Sequence, residues 1–270
     1  MSLPPGERIE AELAEEGVPV PDIVIEPDAD RLARSVASAF VARVAAAQAV
    51  HGVASVVLTG GGVGTAVLER VADLAEEPER EVVDWTAVEI WWGDERFVPA
   101  DSEDRNELGA RRALLDRVGV PEARVHAMPA SDGEFATAQE AADWYAGELA
   151  ELAGDGDLPR FDVLLLGMGP EGHVASIFPD SPAARDDRPV VAVHDCPKPP
   201  PTRISLGFSA INAAEEVWLL VAGEGKAEAV ARGVRGAPGT ELPAGAVHGR
   251  RATRWLIDEA AASRLPDPLS

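Results

Sequence analysis

The chain has 270 residues, 46% of them hydrophobic, enough to bury one substantial core or two closely joined ones. Its 24 Lys and Arg against 47 Asp and Glu leave a formal charge of −23 at pH 7, so a polyanion would meet a repulsive surface and no nucleic-acid partner is expected. The longest apolar runs, such as Val217 to Ala222, fall far short of the roughly 18 residues that a membrane span requires, and no membrane partner is expected.

In chain order, Met1 to Asp30 carries nine acids and the single Arg8, with no basic stretch ahead of an apolar one. That pattern predicts no signal peptide and a cytoplasmic protein. The lone cysteine, Cys196, excludes an internal disulfide framework and fits a reducing compartment. The chain divides into an acidic lead-in over residues 1–20, free to be flexible, and a single domain over 21–270.

Short apolar runs predict strands at Asp22 to Ile25, Ala54 to Thr59, Ala87 to Trp92, Val125 to Met128, Phe161 to Leu166, Val190 to Val193, Ile204 to Leu206, Val217 to Val221 and Arg254 to Ile257. Several are apolar on both faces, as a buried parallel sheet demands. Between them, helical spacing predicts helices over Asp30 to Val50, Gly64 to Glu76, Asp104 to Val118, Glu134 to Leu152, Lys226 to Val234 and Glu259 to Ser263. The fold class is therefore α/β, an open and mostly parallel sheet with helices on both faces. Asp180 to Pro201 and Gly236 to Gly249 are irregular; each reads equally as a hinge or as a surface loop.

Four segments carry candidate chemistry. Thr59-Gly60-Gly61-Gly62-Val63-Gly64 passes from a strand into a helix, where glycines let backbone N–H groups approach an anion at the positive end of the helix dipole, or simply make a tight turn. No Lys follows in the Walker position, which rejects a nucleoside triphosphate loop. Gly93-Asp94-Glu95-Arg96, followed by Asn106, ends another strand; its Arg suits phosphate with the acids fixing its rotamer, or the segment is a solvated ion-pair loop.

Gly167, Gly169 and Gly172 satisfy a dinucleotide-binding pattern read literally, but Pro170 removes one N–H from the loop, and Pro179 with Pro182 limits any following helix to barely two turns. What the segment offers instead is His173, an imidazole on a glycine loop at the end of a buried strand, suited to act as a general base at neutral pH. The fourth segment is Pro201-Thr202-Arg203-Ile204-Ser205 with Gly223-Glu224-Gly225-Lys226 after the next strand, placing two cations toward one sheet edge. A Lys opening a helix opposes the dipole, which points to an anionic partner for Lys226. There is no GxSxG elbow and no HExxH, and His51, His126, His194 and His248 lack metal-ligand spacing. Metal-free acid–base chemistry with no cofactor is the expectation.

Together and in this order the segments resemble the 6-phosphogluconolactonase family over roughly Pro27 to Ala262. Leu166-Gly167-Met168-Gly169-Pro170-Glu171-Gly172-His173, continuing to Pro179, is similar to the family's LGxGxDGHxASLFP. Gly93 to Arg96 with Val98 and Pro99 is similar to GDERxVP, Pro201 to Ser205 to PxxRxS, and Gly223 to Lys226 to GxxK. Glu171 replaces the aspartate of DGH, Arg105-Asn106 replaces Ser-Asn, and the glycine loop replaces SGGSTP.

The resemblance implies the Rossmann-like fold of the glucosamine-6-phosphate isomerase superfamily and a phosphorylated sugar lactone as substrate. It also implies His173 as base and then acid, and Glu171 to orient it or to bind sugar hydroxyls. Arg96, Asn106, Arg203, Lys226 and the amides of Gly60, Gly61 and Gly62 would serve phosphate and lactone binding. Two rivals stand beside it, a glucosamine-6-phosphate deaminase/isomerase and a non-catalytic sugar-phosphate-binding regulator. A monomer or a homodimer is expected.

Overall fold

The computed structural model describes residues 20–77, 83–154, 156 and 158–266. Nearly all of the predicted lead-in, residues 1–19, lies outside the described residues.

The chain runs β1 (Asp22–Glu26), α1 (Ala29–His51), β2 (Ala54–Leu58), α2 (Gly61–Ala75), β3 (Val88–Trp92) and β4 (Asp94–Arg96). Next comes α3, residues 106–118, which is α-helical at both ends with a π-turn over Arg111–Leu115. The remainder is α4 (Ala138–Glu151), β5 (Val163–Gly167), β6 (Val190–Val193), β7 (Arg203–Leu206), α5 (Phe208–Ile211), β8 (Glu216–Val221), α6 (Ala227–Gly233), β9 (Ala252–Asp258) and α7 (Glu259–Ala262).

Six strands form one sheet in the order β1-β9-β8-β5-β2-β3, every pairing parallel. The period of two in a strand sends alternate residues to opposite faces. Val56, Leu58, Val163, Leu165, Trp218 and Leu220 pack on one face with Leu32 and Phe40 of α1, Leu68 of α2 and Leu114 of α3. Val57, Leu164, Leu166, Val217 and Leu219 pack on the other with Tyr145 and Leu149 of α4, Val230 of α6 and Ala261 of α7. With both faces covered, each buried Val or Leu contributes about 1.5–3 kcal/mol, which is why these strands are apolar throughout. Helix ends are set locally: Asp28 accepts from Arg31 N at 2.8 Å, and Thr137 with Glu140 closes a capping box on α4.

One predicted strand is corrected, and two features refine the rest. Val125 to Met128 is not a strand; Val125 makes one isolated bridge to Ile90, because the His126 ring stacks on Trp91 at 3.9 Å and its carbonyl accepts from the Tyr145 hydroxyl. Pro129, with no N–H, cannot extend a ladder. No helix follows β5 over residues 168–181, where Pro170 and Pro179 leave only turns. Finally, β6 and β7 do not join the parallel sheet but pair antiparallel with β4 in a second sheet, β4-β7-β6. That sheet shares the core of the larger one, since Val190 and Ile204 pack in the same cluster as Leu164.

From β2 the chain moves outward to β3, then returns to β5 on the other side of β2. The switch point therefore lies between β2 and β5, where open α/β sheets leave a crevice at the carboxyl ends of their strands.

Candidate active site

A cleft of about 590 Å³, partly open to solvent, occupies that crevice. Its wall is built by the loops after β2, β5 and β8 together with strands β4 and β7 and the start of α3. Thr59 marks the switch point, its Oγ1 accepting from Gly167 N at 3.2 Å.

All the predicted binding residues reach this cleft: Gly60, Gly61, Gly62, Arg96, Asn106, Arg203 and Lys226 line it, and so does His173. Glu171 does not line it but stands behind His173. Arg203 and Lys226 do not share a sheet edge; Arg203 opens β7 in the small sheet, whereas Lys226 follows β8, an interior strand of the large one.

The glycine loop is the N-terminus of α2. Gly61 has φ 81°, in the left-handed region, and no acid occupies the first turn to neutralise the positive end of the dipole. Gly60 is needed for a second reason: a Cβ there would lie 1.9 Å from Asn106 Oδ1. Asn106 thus presses against the loop while its Nδ2 donates to the Asp94 carbonyl at 2.8 Å.

Arg96 Nη1 donates to Asn106 Oδ1 at 2.8 Å and to the Asp104 carbonyl at 2.7 Å. Its Nε is buried with no hydrogen-bond partner among the described residues, an unspent donor in the wall of the cleft. Arg203 is 4% exposed and anchored by carbonyls, Nε donating to Pro200 O at 3.1 Å and Nη2 to Lys198 O at 2.9 Å. Lys226 has no ion-pair partner among the described residues, so none of these supplies the anionic partner expected from sequence. Burial holds its ammonium below the usual lysine range, assisted by the charge of Lys198 and opposed by Asp258.

His173 sits on a tight turn in which Gly169 N donates to His173 O at 3.0 Å and Gly172 N to Gly169 O at 3.0 Å. Gly172 has φ 88°, and a Cβ there would meet Leu242 Cγ at 2.6 Å. The imidazole stacks on Phe178, centroids 4.4 Å apart, and Nδ1 is 3.0 Å from Glu171 Oε1. With Nδ1–H engaged by the carboxylate, Nε2 is the nitrogen open to take a proton. Burial depresses the imidazole pKa below its ordinary 6.5; Glu171 and Asp94 oppose this, and Lys198 adds to it. The depressed pKa favours the neutral imidazole, the form a general base requires.

Sequence reasoning missed three participants. Asp94 lines the cleft, accepts from the Ser176 hydroxyl at 2.6 Å and lies 3.9 Å from Arg203 Nη1. Glu95, 1% exposed, accepts from Arg96 N and Asn106 N at 2.8 Å and from Glu107 N at 2.9 Å. Desolvation pushes its pKa up to about 7 against the pull of Arg105 and those three amides. The acids of Gly93 to Arg96 did signal a rotamer-fixing role, but not which backbone they would hold. Lys198, the third, pairs with Glu171. No group of three or more His, Cys, Asp or Glu placed to hold a metal occurs among the described residues, nor does a helix long and apolar enough to cross a membrane.

Fold and site define a parallel α/β protein with a cationic, histidine-bearing cleft at the carboxyl ends of its central strands. The family model described as glucosamine-6-phosphate isomerases/6-phosphogluconolactonase matches residues 27–255. The 6-phosphogluconolactonase of Streptomyces coelicolor is 49% identical over 254 residues, covering 92% of this chain and 96% of its own. That of Mycobacterium tuberculosis is 49% identical over 247 residues, covering 90% and 98%. The solved 6-phosphogluconolactonase of Thermotoga maritima superposes with a TM-score of 0.75 at 27% identity, over 88% of this chain and 99% of that one. The chain belongs to the glucosamine-6-phosphate isomerase/6-phosphogluconolactonase family.

Proposed function

We propose that this protein hydrolyses 6-phospho-D-glucono-1,5-lactone to 6-phospho-D-gluconate, the lactone-opening step of the oxidative pentose phosphate pathway. The observation that carries the reading is the meeting of His173 with Arg96, Arg203 and Lys226 around one cleft. A cyclic ester with a distant phosphate needs a base for water, donors for a developing oxyanion and cations for the phosphate; that cleft contains each kind.

In this reading the neutral His173 takes a proton from water through Nε2 as the oxygen adds to the lactone carbonyl. The imidazolium formed is stabilised by Glu171 at 3.0 Å. The arginines, Lys226 and the amides at the start of α2 hold the phosphate and stabilise the tetrahedral oxyanion. As the carbonyl re-forms, the ring C–O bond breaks and His173 returns its proton to the departing ring oxygen. The products are the free acid and the open-chain hydroxyl.

The test is lactone hydrolysis above the spontaneous background, with chelator present and ammonia release from glucosamine 6-phosphate measured in parallel. Hydrolysis with chelator and no ammonia is the expected result; ammonia release overturns the reading. Binding of 6-phosphogluconate without turnover would mark a regulator instead.

The pH dependence follows from the imidazole. Protonated His173 cannot accept a proton, so kcat/KM falls as pH drops through its free-enzyme pKa. Burial lowers that pKa, so the acidic limb lies below the 6.5 of an ordinary histidine. A limb above that value would remove His173 as the base.

Salt dependence is the second check. The net charge of −23 repels an anionic substrate at long range, whereas the cations of the cleft act at contact. Raising ionic strength from about 0.1 M to about 1 M shortens the Debye length from about 10 Å to about 3 Å, and kcat/KM is expected to change by less than about tenfold. A collapse by several orders of magnitude contradicts a shielded cationic pocket.

A further inference from the structure

The Pro-rich stretch Pro197 to Pro201 stands beside the site rather than serving as a remote loop. Cys196 N donates to Pro201 O at 3.0 Å and closes the stretch on itself. From it, Lys198 reaches in two directions. Its Nζ lies 2.9 Å from Glu171 Oε1 and 3.0 Å from Oε2, and Glu171 Oε1 is in turn 3.0 Å from His173 Nδ1. Its carbonyl accepts from Arg203 Nη2 at 2.9 Å, next to the Pro200 carbonyl that takes Arg203 Nε at 3.1 Å. Lys198 is not part of the cleft wall.

We propose that Lys198 is a positioning residue of this site: its ammonium fixes the carboxylate that orients His173, and its carbonyl seats Arg203, so one loop couples the proton-transfer group to the cationic pocket. The inference rests on the lactone-hydrolysis reading for its kinetic consequences but not for its geometry.

Electrostatics fixes the direction of the effect. Glu171 is desolvated, which by itself raises its pKa, yet Lys198, its own backbone N–H and His173 together hold it below the usual carboxylate range. Lys198 disfavours the imidazolium directly and also engages charge on Glu171 that would otherwise favour it. The other charges facing His173 are Asp94 from β4, Arg203 from β7, and Arg96 and Lys226 in the cleft wall. Replacing the Lys198 side chain leaves Asp94, Arg203 and Arg96 in place and removes one of the charges that hold the Lys226 ammonium below its usual range. Removing the ammonium therefore makes His173 easier to protonate, leaving less free base near neutrality and a carboxylate free to swing.

The experiment compares wild type with Lys198→Met, which keeps an apolar stem, and with Lys198→Arg, which restores the charge. Two readouts are taken: the titration of the His173 ring by NMR, assigned with His173→Gln, and the pH profile of lactone hydrolysis. In Lys198→Met the His173 midpoint and the acidic limb of kcat/KM are both expected to move to higher pH. The plateau kcat falls about two- to fivefold, the scale for a partly exposed ion pair. KM stays near the wild-type value because the side chain is outside the cleft wall, and Lys198→Arg recovers both readouts. The shift should shrink in a Glu171→Gln background, since the carboxylate transmits part of it.

A His173 midpoint that stays put or moves to lower pH in Lys198→Met overturns the proposal. So does a raised KM with kcat and titration unchanged, which would make Lys198 a direct substrate contact. The NMR readout requires no turnover, so failure of the lactonase reading alone would leave it intact.

Discussion

Replacing His173 with alanine is expected to lower kcat/KM for the lactone by about 10²–10⁴-fold at neutral pH, the usual contribution of a positioned proton-transfer group. The loss should fall mainly on kcat. The phosphate-binding candidates Arg96, Arg203 and Lys226 stand on other elements and remain in place when the imidazole is removed. The variant should fold, because the ring is partly exposed and packs on Phe178 at the edge of one core, where its loss opens toward the cleft. Unchanged far-UV circular dichroism and a nearly unchanged Tm would establish that. Glu171→Gln should cost less than His173→Ala, since it removes the partner of Nδ1 but leaves the base. If both variants retained activity within threefold of wild type, water activation would have to come from elsewhere in the cleft.

The parts of this architecture that were legible in sequence are those whose physics is local. β2, β5 and β8 are apolar on successive residues because each is covered on both faces, and such runs can be read without a structure. β4 was not readable. Asp94, Glu95 and Arg96 have no apolar period, and they form a strand only because β7, more than 100 residues later, supplies its partners. Val125 to Met128 failed the other way, its apolar pattern outweighed by the stacking of His126 on Trp91. The same distinction divides the site. His173 and the glycine loop announce themselves by local composition, whereas Glu95 acts by accepting amides from Asn106 and Glu107, 11 and 12 residues away. Lys198 was hidden among prolines; its target, Glu171, is 27 residues upstream, and nothing in the spacing joins them.

Gly169→Ala is expected to reduce kcat by about 10²-fold while leaving the fold intact, and it tests whether the placement of the imidazole matters as much as its presence. Gly169 does not have a positive φ, so alanine meets no backbone strain there. The obstacle is space: a Cβ at this position would lie 2.1 Å from His173 Nδ1, 2.3 Å from its Cε1 and 2.6 Å from Glu171 Oε2. The ring and the carboxylate must both withdraw, and a misplacement of about 1 Å in a reacting group costs on the order of 10²-fold. Both side chains are partly exposed, at 17% and 33%, so they can yield toward solvent without disturbing the core. Gly147→Ala is the matched control. It lies on the exposed face of α4 with nothing within 4 Å of its Cβ, so it should leave kcat unchanged and add up to about 1 kcal/mol of helix stability. Wild-type kcat in Gly169→Ala would show that the His173–Glu171 geometry tolerates displacement, and catalysis would then rest on the cationic wall of the cleft.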